Sequence, residues 1–229
     1  NSTLLLPDGS RCITTLTVAR RIKLQGGRLS WTAGITNAEA VLVTADGVEL
    51  HGVTLINPSE LGAATGNRNV GIRFTANEGT VVGCTVQQFQ NGIMVSAEGE
   101  YGRFRIADNR VIDIVGVGGG PASASTDGED RGDGIVVWGA QATITGNVVS
   151  CKAGSDARIG IHCEGLPGSA VTPGAYFSAQ YTVSDNIVYG QFRRGISVED
   201  VSEASVTGNT VADSTWWAVS LAANCRASH

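Results

Sequence analysis

Four side chains that could act together on a sugar polymer lie in three repeated segments, three of them at the matching last position. Trp138 ends the segment GIVVW, Glu164 ends GIHCE and Glu199 ends GISVE. His162 lies two residues before Glu164, on the same face of an extended chain. Two neighbouring carboxyl groups can divide the roles of proton donor and of base or nucleophile in glycoside hydrolysis. The tryptophan ring offers a flat surface for a sugar, and the imidazole can orient or polarise a carboxyl group.

The spacing of the two glutamates depends on how their strands pair. Adjacent strands of a parallel sheet would hold their Cα atoms about 4.8 Å apart. Retaining glycosidases separate their carboxyl groups by about 5–5.5 Å and inverting enzymes by about 6.5–9.5 Å, so splayed side chains could fit either mechanism. Like charges at this distance raise one of the two pKa values, which keeps one carboxyl group protonated as a donor.

Further candidates border the same strands. Asp133 precedes the segment that ends at Trp138, and it could replace either glutamate as a catalytic group. The other predicted substrate-binding residues are Asp200, Arg73, Arg131 and Tyr176. We predict no metal and no cofactor, because the acidic stretch 127–131 offers too few oxygens for the about six to eight of a Ca²⁺ site.

Each candidate also has a purely structural interpretation. Glutamates on an outer strand are commonly solvated, and His162 fits a surface histidine. Trp138 would suit a position under a loop or in a subunit interface. The arginine pair 193–194 fits the bracing of a turn, and the tryptophan pair 216–217 fits a cap or a subunit contact.

Two recurring motifs define the elements that would position these residues. Segments such as VVGCTV and ITGNVV begin at residues 24, 50, 81, 106, 144, 183 and 206. Gly-Ile-x-apolar segments lie at 71–74, 92–95, 134–137, 160–163 and 195–198. Short alternating strands at intervals of 23 to 39 residues predict a stacked coil, since a propeller needs blades of about 40 residues. We predict an all-β fold, a right-handed single-stranded parallel β-helix of about seven to eight coils with long loop inserts.

Stacking of such coils predicts columns of like residues. The inward column of sheet positions comprises Ile72, Ile93, Ile135, Ile161 and Ile196. A turn position repeats as an asparagine ladder formed by Asn109, Asn147, Asn186 and Asn209. The longest inserts, at 115–132 and 165–180, border the strands that end at Trp138 and Glu164, as loops that wall a groove would.

Composition narrows the function classes. The net charge is −5 and there is no run of basic residues, which argues against a nucleic-acid partner. No stretch reaches about 18 apolar residues, so we predict no membrane insertion. The five cysteines lack CxxC spacing, which indicates mostly buried free thiols.

The two motifs resemble those of the pectate-lyase-like superfamily of β-helices over residues 41–221. Residues 2–27 resemble the opening segment of phage tailspikes and related secreted β-helix proteins. This resemblance implies a protein of the virion tail or the extracellular space that acts on polysaccharides, usually as a homotrimer. We expect a first coil and N-terminal cap region over 1–40 and the β-helix coils of a single domain over 41–229. The ends show neither a signal peptide nor an obvious cap, so one interpretation is a segment of a longer chain.

Three functions fit this reading of the sequence. The first is cleavage of a bacterial surface polysaccharide by a glycoside hydrolase with a carboxylate pair. The second is a lyase acting on a uronate-containing glycan, in which Arg73 or Arg131 would neutralise the uronate and His162 would serve as base. The third is a receptor-binding or structural β-helix of a phage tail without turnover.

Overall fold

The structure, a computed structural model, describes residues 2–12, 14–31, 38–58, 69–96, 102–116, 132–155, 157–165, 179–201 and 203–222. These residues form strands and turns, and the strands pair in parallel with those of the neighbouring coils. Three sheets of eight strands run along a solenoid, which confirms the predicted right-handed parallel β-helix for the described part of the chain. Within that part, no helix is long and apolar enough to span a membrane.

The chain passes through sheets A, B and C in turn. Sheet A contains β1 (Ser2–Leu5), β4 (Ile22–Gln25), β7 (Val48–His51), β10 (Glu78–Val82), β13 (Gly102–Ala107), β16 (Ala140–Thr145), β19 (Gln180–Ser184) and β22 (Glu203–Thr207). Sheet B contains β2 (Ser10–Cys12), β5 (Arg28–Trp31), β8 (Thr54–Ile56), β11 (Thr85–Gln87), β14 (Arg110–Ile114), β17 (Val148–Cys151), β20 (Ile187–Tyr189) and β23 (Thr210–Ala212). Sheet C contains β3 (Leu16–Val18), β6 (Glu39–Val43), β9 (Val70–Phe74), β12 (Asn91–Ser96), β15 (Asp133–Trp138), β18 (Ala157–Glu164), β21 (Phe192–Glu199) and β24 (Trp217–Ala222).

The inner face of sheet C is the isoleucine column predicted from the Gly-Ile motif. Its members pair in register from coil to coil and are fully buried: Ile72, Ile93, Ile135, Ile161 and Ile196. Burial of one such side chain contributes about 1.5–3 kcal/mol, so the column is a main source of the stability of the stack.

The glycine before each isoleucine lies within a strand of sheet C and against a valine of sheet B, at a point that we call the bend. A Cβ atom at Gly160 would lie 2.3 Å from Val188 Cγ1 and 2.6 Å from the carbonyl oxygen of Gly195. Gly134 meets the same obstruction from Val149. Because these valines belong to the core, the glycine and the isoleucine after it both face inward. The residue before the glycine therefore faces outward, and strict alternation is broken at this bend.

We expect Gly160→Ala to lower the free energy of unfolding by about 1–3 kcal/mol, because the new methyl group collides with Val188 and with the backbone of the next coil. Denaturant unfolding followed by circular dichroism measures the loss. The exposed Ser205→Ala on sheet A is the control. An equal and small effect of both substitutions would show that the bend has room for a side chain.

The predicted asparagine ladder is confirmed. The Nδ2 atoms of Asn109, Asn147 and Asn186 each donate to Oδ1 of the asparagine in the next coil, at 2.9 Å, and the last acceptor is Asn209. Each Oδ1 also accepts the backbone N–H of the preceding asparagine. The first three side chains are buried, so the ladder satisfies polar groups that water does not reach.

We expect Asn147→Ala to lower the free energy of unfolding by about 2–3 kcal/mol. The substitution removes the acceptor of two Asn109 donors and the donor to the carbonyl oxygen of Ile106. Chemical denaturation would compare it with Asn209→Ala at the less buried end of the ladder. If Asn147→Ala cost no more than Asn209→Ala, the ladder would not be a cooperative structural element.

Three cysteines of the described chain, Cys84, Cys151 and Cys163, are buried thiols outside disulfide bonds, as predicted for them. Burial raises the pKa of the Cys84 thiol to about 11. Burial raises the pKa of the Cys163 thiol as well. Such thiols stay protonated and unreactive, so Cys84 and Cys163 contribute to packing and not to chemistry.

Candidate active site

The outer face of sheet C carries the predicted site. Trp138, Glu164 and Glu199 pair in register in β15, β18 and β21. Two residues before the glutamates in the same strands, His162 pairs with Ser197. The Cα atoms of paired residues are about 4.8 Å apart, so the structure brings the four residues singled out by their spacing onto three adjacent coils.

An open cavity of about 360 Å³ lies over this face. Its walls are formed by Arg158, Ile159, His162, Glu164, Arg193, Arg194, Glu199 and Trp216. Both predicted glutamates and the predicted histidine therefore share one depression, which also contains three guanidinium groups.

His162 lies at the centre of the charged side chains around the cavity. Its side chain is only 3% exposed, so the alternative of a surface histidine is wrong. Its Nδ1 atom lies 3.2 Å from Asp133 Oδ2. On the other side of the ring, Nε2 lies 3.4 Å from Glu164 Oε2 and 3.6 Å from Glu199 Oε1. The imidazole thus stands between a buried carboxylate and the two carboxyl groups of the cavity.

Asp133 is buried behind His162. Arg158 donates two hydrogen bonds to its carboxylate, from Nε to Oδ1 at 2.9 Å and from Nη2 to Oδ2. Burial by itself would raise the pKa of Asp133, but the charge and hydrogen bonds of Arg158, together with His162, outweigh it and hold the pKa well below 3.8. Asp133 is therefore an ionised group that fixes the His162 ring and the Arg158 side chain.

Glu164 has the opposite electrostatic environment. Its side chain is 22% exposed. Desolvation raises its pKa above the usual 4.5. The charges of His162 and Arg158 lower the pKa, and the neighbouring charge of Glu199 raises it further, so that the net shift is upward. This carboxyl group therefore retains its proton to a higher pH than an ordinary glutamate.

Glu199 is held in place by donors on one oxygen. Arg194 Nη1 donates to Glu199 Oε1 at 2.5 Å, and Ser197 Oγ donates to the same oxygen at 2.7 Å. Ser220 on the next coil lies 2.6 Å from Ser197 through their hydroxyl groups. These contacts fix Glu199 as the anionic partner of Arg194.

Trp138 is less accessible than a simple sugar platform would be. It packs against a small apolar cluster on the outside of the sheet, formed by Val70, Met94 and Val136. Its Nε1 atom is buried and has no hydrogen-bond partner among the described residues. Only part of the ring reaches the surface next to Glu164.

Of the other predicted site residues, one lies far from His162, one lies beside Glu199 and two lie outside the described residues. Arg73 pairs with Glu39 at 2.9 Å and lies in β9, three coils and about 14 Å along the axis from His162. It therefore cannot act with His162 on one bond, which leaves Arg131 as the arginine that the lyase hypothesis named. Asp200 follows Glu199 on the surface and contributes slightly to the raised pKa of Glu164. Arg131 and Tyr176 lie outside the described residues.

The core supports the site from behind through Tyr181. This residue of β19 is buried, and its hydroxyl donates to the carbonyl oxygen of Glu164 at 2.8 Å. The carbonyl oxygen of Val137 lies 3.2 Å from the same hydroxyl. A side chain from sheet A thus crosses the core and anchors the ends of β15 and β18 under the catalytic candidates.

The sequence interpretation missed Arg158, Arg194 and Trp216. Arg194 binds Glu199, so describing it as a turn brace is incomplete. The position of Arg194 could have been predicted from the residue before each Gly-Ile segment, because Asp133, Ile159 and Arg194 share one register. Strict alternation hides this row, since two inward residues follow it in each strand.

These features define a class of protein: a right-handed parallel β-helix with a carboxylate cavity on the outer face of one sheet. Residues 70–229 match the family described as "right handed beta helix region", and the chain belongs to that family. Among solved structures, the chain is similar to the Dettilon tailspike protein, with 15% identity and a TM-score of 0.45. The match covers 92% of this chain and 52% of that protein. No curated protein matches the sequence.

Proposed function

We propose that the protein binds and cleaves a bacterial surface polysaccharide by hydrolysis in the sheet C cavity. The observation that carries this proposal is that two neighbouring carboxyl groups of the cavity have different electrostatic environments. Glu164 has a raised pKa, whereas Glu199 is paired with Arg194. A proton donor beside an anionic base or nucleophile is the arrangement that glycoside hydrolysis needs.

In this mechanism Glu164 gives its proton to the oxygen of the glycosidic bond as the bond breaks. Glu199 either takes a proton from the attacking water or attacks the sugar carbon itself. Glu164 Oε2 and Glu199 Oε1 both lie close to His162 Nε2, at 3.4 and 3.6 Å. The two oxygens are therefore at most ~7 Å apart, a range that includes retaining and inverting geometries.

His162 acts as a positioning residue in the same mechanism. The Nδ1 atom of the ring lies 3.2 Å from Asp133 Oδ2 and 3.3 Å from Arg158 Nη2, and Nε2 is directed towards the two glutamates. Nε2 faces both glutamates and so orients their carboxyl groups in the cavity. Asp133 and Arg158 keep the ring in this orientation because both are held in their own ion pair.

Lyase chemistry is the second candidate function, and one observation favours it. Arg158, Arg193 and Arg194 bring three cations into the cavity beside His162. Guanidinium groups can neutralise a uronate carboxylate while a base removes the adjacent carbon-bound proton. Two of the three guanidiniums already bind carboxylates of the protein, which makes hydrolysis the stronger proposal.

The test is release of reducing ends from a panel of purified capsular and lipopolysaccharide O-chain polysaccharides, with ultraviolet absorbance recorded in parallel. New reducing ends without absorbance would support hydrolysis. Absorbance from an unsaturated uronate would identify a lyase. Binding of a panel polysaccharide without turnover would contradict both and leave a receptor-binding β-helix.

From the resemblance of residues 2–27 to tailspike openings, we also propose a location in the virion tail or the extracellular space and a homotrimeric assembly. Sedimentation equilibrium of the purified chain measures the assembly directly. A monomer at micromolar concentration would contradict the trimer and leave the proposed reaction intact.

A further inference from the structure

Two adjacent tryptophans and two adjacent arginines form a compact surface cluster at the C-terminal side of the cavity. The rings of Trp216 and Trp217 meet edge to face, with centroids 5.6 Å apart. The guanidinium carbon of Arg193 lies 5.4 Å from the Trp216 ring, and that of Arg194 lies 5.5 Å from the Trp217 ring. We call these four residues the tryptophan–arginine cluster.

The tryptophan–arginine cluster is continuous with the candidate active site. Trp216 is part of the cavity wall. Trp217 pairs in register with Arg194, and Arg194 donates to Glu199 at 2.5 Å. One guanidinium thus contacts both the exposed aromatic ring and the proposed base or nucleophile.

The Trp217 ring is fixed in an orientation that leaves a large part of it in water. Trp217 is 52% exposed. Its contacts with Arg194 and Trp216 restrict its rotation. An exposed apolar surface with polar groups at its edge is typical of a binding site. A rigid, flat apolar face beside hydrogen-bond donors is well matched to a sugar ring, which has an apolar face and a rim of hydroxyl groups.

The exposure of Trp217 differs in origin from that of its neighbours in β24. Val219 and Leu221 are 46% and 59% exposed, but they continue the inward columns of Ile196 and Val198. Any element stacked on the last described coil would cover those two residues. Trp217 instead belongs to the outer row of Arg194, on the side of the cavity.

We propose that Trp217, supported by Trp216 and Arg194, is a glycan-binding subsite one coil beyond the carboxylate pair. This inference rests on the proposed function, since it assigns a neighbouring sugar unit of the same polysaccharide to this ring. Trp138 lies on the opposite side of the carboxyl groups, and Trp217 pairs with Arg194, five residues before Glu199 in the strand. A polymer that crosses sheet C obliquely, over the cavity that contains Glu164 and Glu199, would reach Trp217.

The test uses the full chain with Glu164→Gln, which removes the proposed acid and so preserves the polymer during titration. Calorimetry would compare this protein with versions that add Trp217→Ala, Trp217→Phe or Tyr189→Ala. The probe is the panel polysaccharide that the wild type cleaves or, without cleavage, binds most tightly. Tyr189 is the matched control, an aromatic residue 42% exposed on sheet B.

We expect Trp217→Ala to weaken binding about tenfold, Trp217→Phe to weaken it less because a ring remains, and Tyr189→Ala to leave it unchanged. Equal affinity of the Trp217→Ala protein and its parent would overturn the subsite while the cavity assignment stands. Weaker binding accompanied by a changed oligomeric state in sedimentation would also overturn it, in favour of a subunit contact. If the wild type neither bound nor cleaved any polysaccharide of the panel, the proposed function and the subsite would fail together.

Discussion

Glu164→Gln should lower kcat on the cleaved polysaccharide by about 10²–10⁴-fold. Glutamine keeps the shape of the protonated acid but has no proton to transfer to the leaving oxygen. Because glutamine is neutral, it also fits the partly desolvated position that raises the pKa of Glu164. We therefore expect the loss in rate without loss of fold, measured as initial rates of reducing-end release together with circular dichroism.

The activity and the stability of the wild type should both depend on pH through the pKa of Glu164. In the wild type, activity should fall as pH rises through the pKa of Glu164, which lies above 4.5. The raised pKa also means that the folded state binds the proton more tightly than the unfolded state, so stability should fall as pH rises from about 4.5 to the folded pKa. Glu164→Gln should abolish this loss of stability and the alkaline decline of the residual activity.

Glu203→Gln is the matched control, since it removes the same charge from an exposed strand of sheet A. It should leave the rate and its pH profile unchanged. Loss of less than about threefold for Glu164→Gln, or an equal loss for Glu203→Gln, would remove Glu164 from the role of acid.

Asp133→Asn should have the largest effect on stability, a decrease of about 3 kcal/mol in the free energy of unfolding. Breaking a buried ion pair costs about 3–5 kcal/mol, and the low end applies because the Arg158 side chain remains 25% exposed. The amide can accept hydrogen bonds on only one atom, so Arg158 and His162 lose part of their shared acceptor. Denaturant unfolding at neutral pH measures the difference.

Acid titration provides an independent check on Asp133. The folded pKa is held below 3.8, so the stability that it contributes is fully present above 3.8 and is lost as pH falls from there towards the folded pKa. Asp133→Asn should therefore remove most of the decline in stability below pH 3.8. The exposed Asp213→Asn is the control, and it should change stability by less than about 0.5 kcal/mol. Similar acid profiles for wild type and Asp133→Asn would contradict the assignment.

The fold could be predicted because its columns obey two simple rules. Side chains alternate along strands, and stacked coils place equivalent residues above one another. The spacing of the repeats was therefore enough to predict the partners of Ile161 and Asn147. The same rules placed Glu164 beside Glu199. Register is strongly determined here because a shift by one residue would move the isoleucines out of the core.

The parts of the site that escaped prediction depend on departures from those rules. Asp133 was predicted as a catalytic group, but two successive inward residues at the Gly134–Ile135 bend place it outside and behind His162, which alternation alone does not indicate. The burial of His162 and the contact from Tyr181 to the carbonyl of Glu164 involve residues of other strands and other sheets. Such contacts follow from the three-dimensional path of the coils and have no fixed spacing in the sequence.

Hydrolysis of a polysaccharide in this cavity is tested most directly by mass spectrometry of products formed in water enriched in oxygen-18. Hydrolysis transfers one solvent oxygen to the products for every bond cleaved. We predict saturated oligosaccharides that each carry one heavy oxygen at the new reducing end, formed by the wild type and not by the Glu164→Gln protein. Unsaturated products without the label would contradict the claim and identify an eliminating lyase.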